Sequence, residues 1–133
     1  VKEPIVLIDT SAWICFFARR GFKDLKQTIS SLLDENRVAI TGPVLVELAQ
    51  GCRTEKEKRE LSMAFESLHW LRITDALWYK ASELAFMLRR KGITVSAMDA
   101  LIASVAIQYD AYLLHRDKDY DLIAEHVALK IYR

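Results

Sequence analysis

The sequence predicts an α/β fold, a three-layer α/β/α sandwich around a mostly parallel central sheet of about five strands. Three observations lead there. Short apolar runs alternate with helical spans long enough to act as crossovers between parallel strands. The first run, Ile5-Val6-Leu7-Ile8, is apolar at four successive positions, as a strand covered by helices on both faces requires. It ends abruptly in Asp9-Thr10-Ser11, which delivers a carboxylate to the strand tip.

After that strand, Asp9, Thr10 or Ser11 can cap a helix whose Ala12, Trp13, Phe16 and Phe17 follow helical spacing, with Gly21 as its stop. The aromatic face reads as core. Lys23 to Glu35 forms an amphipathic helix with Leu25, Ile29, Leu32 and Leu33 on one side, and Arg37 to Ile40 a short strand. Thr41 can cap the next helix, and Pro43 is tolerated in its first turn, where a missing N–H has no intrahelical partner. That helix runs through Val44, Leu45, Val46, Glu47, Leu48 and Ala49 to Gly51, with Glu47 its only charge. A charged helix, Thr54 to Leu68, leads to a strand near Leu71 to Thr74, and a long helix follows from Asp75 to Lys91, ended by Gly92. Ser96 opens the helix Ala97 to Tyr109, apolar nearly all round and therefore buried. Ala111 to Leu114 is a strand, His115 to Asp119 a polar turn, Tyr120 to Glu125 a short helix, and Val127 to Tyr132 the closing edge strand.

A chain of 133 residues, 52% hydrophobic and 28% charged, suits one domain spanning 1–133 with a substantial core. Its net charge of +1 excludes nucleic-acid binding through bulk positive charge, so any such site is local. Cys15 and Cys52 lack CxxC or zinc-ligand spacing and read as free thiols of a reducing cytoplasm. No apolar run approaches the roughly 18 residues that a membrane span needs. The expectation is a soluble, cytoplasmic protein with no membrane association, its start at Val1 pointing to a missing initiator Met or leader.

The predicted topology draws four distant acids together. Strands of a parallel sheet end at one edge, and ligand sites form outside those carboxyl ends. Asp9 and Asp117 follow two such ends, Glu47 lies in the second turn of a helix leaving the same edge, and Asp99 starts a helix that must return to it. Each acid also has a plainer use. Asp9 can cap a helix, Ser96-Ala97-Met98-Asp99 matches a capping box, and Asp117 and Asp119 suit a turn or cap. Glu47, between Val46 and Leu48, would be costly to bury unpaired. Carboxylates about 4 Å apart repel by roughly 4 kcal/mol at an effective dielectric of about 20, so the cluster calls for a cation. All-oxygen donors suit Mg²⁺ or Mn²⁺ rather than zinc.

Those residues resemble a known family, the PIN domain, and within it the VapC-type toxins of toxin-antitoxin systems. The likeness covers essentially the whole chain. It rests on Ile8-Asp9-Thr10-Ser11, on Thr41 to Gln50 with Glu47, on Ser96 to Ala103 with Asp99, and on His115-Arg116-Asp117-Lys118-Asp119-Tyr120-Asp121, in that order and spacing. The resemblance implies a PIN-like fold and a metal-dependent endoribonuclease. Asp9, Asp99 and Asp117 would be metal ligands, Asp119 would assist or replace Asp117, and Glu47 would be a further acid that orients or deprotonates the attacking water or helps hold a second ion. It also implies a homodimer held inactive by a VapB-type antitoxin. His115 stands where many members carry Thr or Ser, so the hydroxyl near Asp9 falls to Ser11, with Thr10 beside it. Asn at position 9 or 99 is expected to abolish cleavage and leave the fold intact.

RNA contacts then fall to local basic groups, by position Arg116 and Lys118 first, because Arg53 to Glu60 mixes its bases with acids. Two other classes fit the same sheet-edge acids less completely. A Mg²⁺-dependent phosphatase or phospho-acceptor domain would need a Lys at the end of a late strand, where Leu114-His115 offers none. A non-catalytic interaction module would present Trp13, Phe16, Phe17 and Trp78 outward, although their helical spacing reads first as core or dimer interface.

Overall fold

The computed structural model describes residues 3–133. In chain order the elements are β1 (Val6–Ile8), α1 (Thr10–Phe17), α2 (Lys23–Asp34), β2 (Val38–Ile40), α3 (Gly42–Gln50), α4 (Glu55–Glu66), β3 (His69–Trp70), α5 (Asp75–Arg90), α6 (Ala97–Gln108), β4 (Tyr112–Leu114), α7 (Lys118–Ala124) and β5 (Lys130–Ile131). The strands make one sheet in the order β3-β2-β1-β4-β5. Every pairing is parallel, where the sequence predicted a mostly parallel sheet.

Val6, Leu7 and Ile8 are all at 0% exposure, and because successive strand residues point to opposite faces, both faces of β1 must be covered. The strand order says by what. From β1 to β3 the chain steps outward one way, and after β3 it returns across β1 to β4 and steps out the other way. Right-handed crossovers then place α1 to α4 on one face and α5 to α7 on the other. The packing agrees: α1 lies against α2 and α3, whereas α6 lies against α5 and α7. Helix α6 is the most enclosed, with Ala100 to Ala106 buried without interruption.

Local chemistry explains most boundaries. Gly92, at φ +79°, lets the Ile93 N–H reach back to Leu88 O at 2.9 Å and close the end of α5. Gly21, at φ +82°, is not the stop of α1, which ends at Phe17 with Ala18 as its cap. The third strand is His69–Trp70 rather than Leu71 to Thr74. Leu71 donates one more N–H to Ile40 O and is buried, but the chain then leaves the sheet so that Thr74 can cap α5. Thr41 occupies the cap position of α3, yet its hydroxyl donates to Leu71 O at 2.8 Å instead of bonding that helix. Helix α7 starts at Lys118, ahead of the predicted Tyr120, because Asp117 caps it. The closing strand shrinks to Lys130–Ile131.

Of the aromatic face on α1, Trp13 is buried and packs on Phe16, Phe17 and Phe65, while Phe17 is half exposed. No helix among the described residues is long and apolar enough to cross a membrane.

Candidate metal centre

Strands β1 and β4 are the neighbours at which the strand order reverses, and outside their carboxyl ends lies the crevice where doubly wound sheets bind ligands. Asp9 follows β1 directly and is only 6% exposed. Three donors converge on its two oxygens. The Ser11 N–H and O–H reach Oδ2 at 3.0 and 2.6 Å, and the Tyr120 O–H reaches Oδ1 at 2.8 Å. Asp9 therefore caps α1 and faces the crevice at once.

Asp99 enters from the other side, in the first turn of α6, where Ser96 Oγ accepts its backbone N–H at 3.0 Å. Asp117 caps α7 and its Oδ1 accepts the Asp119 N–H at 3.0 Å. Together Asp99, Asp117 and Asp119 can each offer an oxygen within 4.8 Å of the others, and all three are half-buried. The structure thus assembles both late acids, Asp117 and Asp119. Asp9 lies outside that set of closest oxygens.

The charges strain against one another. Burial, and then the neighbouring charge of Asp117, push the Asp99 carboxyl up to about 6; Asp9 and Asp119 add to the rise, and a hydrogen bond from Tyr120 opposes it. Burial and the adjacent Asp9 and Asp99 push the Tyr120 hydroxyl far above the ordinary phenol range, so it stays protonated and a donor to Asp9. An all-carboxylate, half-buried set with self-repulsion of this kind fits a hard divalent cation.

Glu47 departs from expectation. It is exposed rather than buried, because α3 turns only Val44 and Leu48 fully inward and leaves Val46 67% exposed. Its position is nonetheless fixed, with the Thr10 hydroxyl donating to Oε1 at 2.6 Å. Ser11 Oγ also accepts the Arg116 N–H at 2.9 Å, tying the β4 loop to the tip of β1. Arg116 is exposed, with its guanidinium folded onto the His115 carbonyl at 2.8 Å, and Lys118 is exposed at the start of α7.

Tyr120 is the residue that sequence reasoning left without a role. It is fully buried, although it follows four charged residues, Arg116 to Asp119. The available signal was its spacing: it lies three residues after Asp117, on the helix face below that acid.

A family model described as PIN domain matches residues 6–126. Ribonuclease VapC11 from Mycobacterium tuberculosis is 33% identical over 123 residues, covering 90% of this chain and 92% of the relative. VapBC2 from Rickettsia felis, solved bound to a DNA fragment from its promoter, superimposes with a TM-score of 0.77 at 21% identity, over 96% of this chain and 97% of that one. FitAcB from Neisseria gonorrhoeae superimposes with a TM-score of 0.78 at 18% identity, over 97% of each chain.

Proposed function

The chain belongs to the PIN-domain family, among the VapC ribonucleases, and from that membership we propose that it is a single PIN domain acting as an endoribonuclease toxin with a metal site at Asp99, Asp117 and Asp119. The observation that carries the site is the approach of those three carboxylates within 4.8 Å at the carboxyl edge of the sheet. Mg²⁺ is the ion we assign, with Mn²⁺ able to substitute. Bound there, it would neutralise the acids, acidify a coordinated water and draw charge from the scissile phosphate.

The chain's own groups do the rest. Asp9 adds negative charge behind the ligands and is fixed by Ser11 and Tyr120. Thr10 engages Glu47 Oε1, which leaves Oε2 to take the proton of the attacking water. Water attacks phosphorus in line, and the sugar oxygen departs opposite with the electron pair of the broken P–O bond and takes a proton from solvent. Arg116 and Lys118, exposed beside the acids, would neutralise flanking phosphates of the RNA.

The direct test is cleavage of cellular RNA by the purified protein with Mg²⁺, Mn²⁺ or chelator. Cutting that requires the metal supports the reading, and cutting that persists in chelator refutes it. Glu47→Gln should lower turnover by about 10²-fold or more at saturating metal and leave Mn²⁺ binding unchanged, because Glu47 lies outside the closest oxygen set. Single-turnover cleavage beside a Mn²⁺ titration separates the two effects. Since Asp99 must lose its proton to bind a cation, apparent Mn²⁺ affinity should fall as pH drops through about 6. Paramagnetic titration of free Mn²⁺ across that range checks the direction.

We further assign a VapB-type antitoxin and a homodimer, acting in the cytoplasm where the RNA is. A groove of about 790 Å³, walled by Ile14, Phe17, Leu48 and Leu61 and reaching Glu47, supports the first. For the second, Trp78 and Phe86 lie eight residues apart on one face of α5, 53% and 64% exposed.

A further inference from the structure

We infer that His115 is a positioning residue for the metal site: as a hydrogen-bond acceptor it sets the backbone of Asp117, and as a packed ring it seats Tyr120. The inference rests on the metal-site reading above. His115 is the first residue after β4 and only 8% exposed. Its Nδ1 accepts the Asp117 N–H at 3.0 Å, which places the ring proton on Nε2. Nε2 is buried, and the described residues offer it no hydrogen-bond partner; Asp121 Oδ1 lies 3.4 Å away without the alignment of a bond.

A structural histidine at a strand end would spend its polar atoms on the strand or on water. This one turns an acceptor onto the amide that begins the ligand loop. Asp117 is the cap of α7, so its N–H precedes the helix and has no partner within it. The imidazole supplies that partner and so fixes the peptide plane between Arg116 and Asp117. The Asp117 side chain leaves from that plane, with Oδ1 on the Asp119 N–H. On its other side the His115 ring meets the Tyr120 ring at a centroid distance of 5.1 Å, and the Tyr120 hydroxyl holds Asp9. Both halves of the acid cluster are thereby referred to one side chain.

Two substitutions separate acceptor from packing. His115→Asn carries Oδ1 on Cγ, where His carries Nδ1, and keeps the acceptor in a smaller side chain. His115→Leu keeps apolar volume and removes the acceptor. Read by paramagnetic Mn²⁺ titration of the folded full chain, affinity should fall about tenfold or more in the Leu variant, the range seen for groups that orient metal ligands. The Asn variant should recover most of that loss. Equal affinity of wild type and the Leu variant would overturn the role of His115 alone, and so would equal losses in both variants. A wild-type protein that binds no Mn²⁺ would remove the metal site and this inference with it. If the Leu variant does not fold, the wild type still decides: nitrogen-15 NMR should show the Nε2–H tautomer and a coupling across the hydrogen bond between the Asp117 amide and His115 Nδ1. Absence of that coupling with the Nδ1–H tautomer present would overturn the assignment.

Discussion

Replacing Asp99 with Asn should abolish metal-dependent cleavage, a loss of about 10²–10³-fold or more, while making the metal-free protein more stable at neutral pH. The two effects share one cause. Asp99 is pressed into a half-buried position beside Asp117, Asp9 and Asp119, and its carboxyl is raised to about 6. A raised carboxylate means that the folded state holds this proton more tightly than the unfolded chain does. The associated stability is complete below the unfolded value, near 4, and is lost as pH rises through about 6. Asn is neutral throughout and keeps the backbone N–H that Ser96 accepts, so it removes the cost of a buried charge and the repulsion without touching the cap. Thermal unfolding in chelator, from acid to neutral pH, reads this directly. The wild type should lose stability across that window and the variant should lose less. Parallel curves would show that neither burial nor its neighbours' charge opposes the ionised form of Asp99, and the case for a cation would weaken with it.

The same residues show how far the sequence could be read. Four successive apolar residues before Asp9 sufficed to place a doubly covered strand, because no half-exposed strand tolerates that pattern. Asp99 and Asp117 could be brought to its tip because parallel strands share one carboxyl edge. What resisted reading depended on contacts between residues far apart in sequence. The third strand pairs through its backbone, so exposed His69 and Trp70 carry the ladder while the more apolar Leu71 and Ile73 follow it. Glu47 looked buried among apolar neighbours, but the orientation of α3 puts Val46 and Glu47 outward together. The Thr41 hydroxyl turns away from its own helix to a carbonyl 30 residues on. Tyr120 meets Asp9 across 111 residues, and nothing near either residue announces the pairing.

Asp9→Asn should also abolish cleavage, but unlike Asp99→Asn it should cost the fold about 1–3 kcal/mol. Sequence reasoning gave the two acids the same expectation, an intact fold after either change. The structure separates them. Asp9 is 6% exposed and receives three donors on its two oxygens, so as a carboxylate it is satisfied by acceptance alone. An amide brings one acceptor oxygen and one NH₂ group that faces a donor whichever way it turns. Turned toward Ser11, the NH₂ breaks the cap of α1, a loss of about 0.5–2 kcal/mol. Turned toward Tyr120, it meets the O–H that Asp9 Oδ1 accepts and forces a buried phenol to accept where it now donates. Ser11 Oγ also carries the Arg116 N–H, so the disturbance passes into the loop that bears Asp117. Urea unfolding of both variants beside the wild type should rank Asp9→Asn as the least stable and Asp99→Asn at or above the wild type. If Asp9→Asn instead unfolds with the wild type, the three donors find other partners at no cost, and Asp9 belongs with the exchangeable charges of the site and not with its frame.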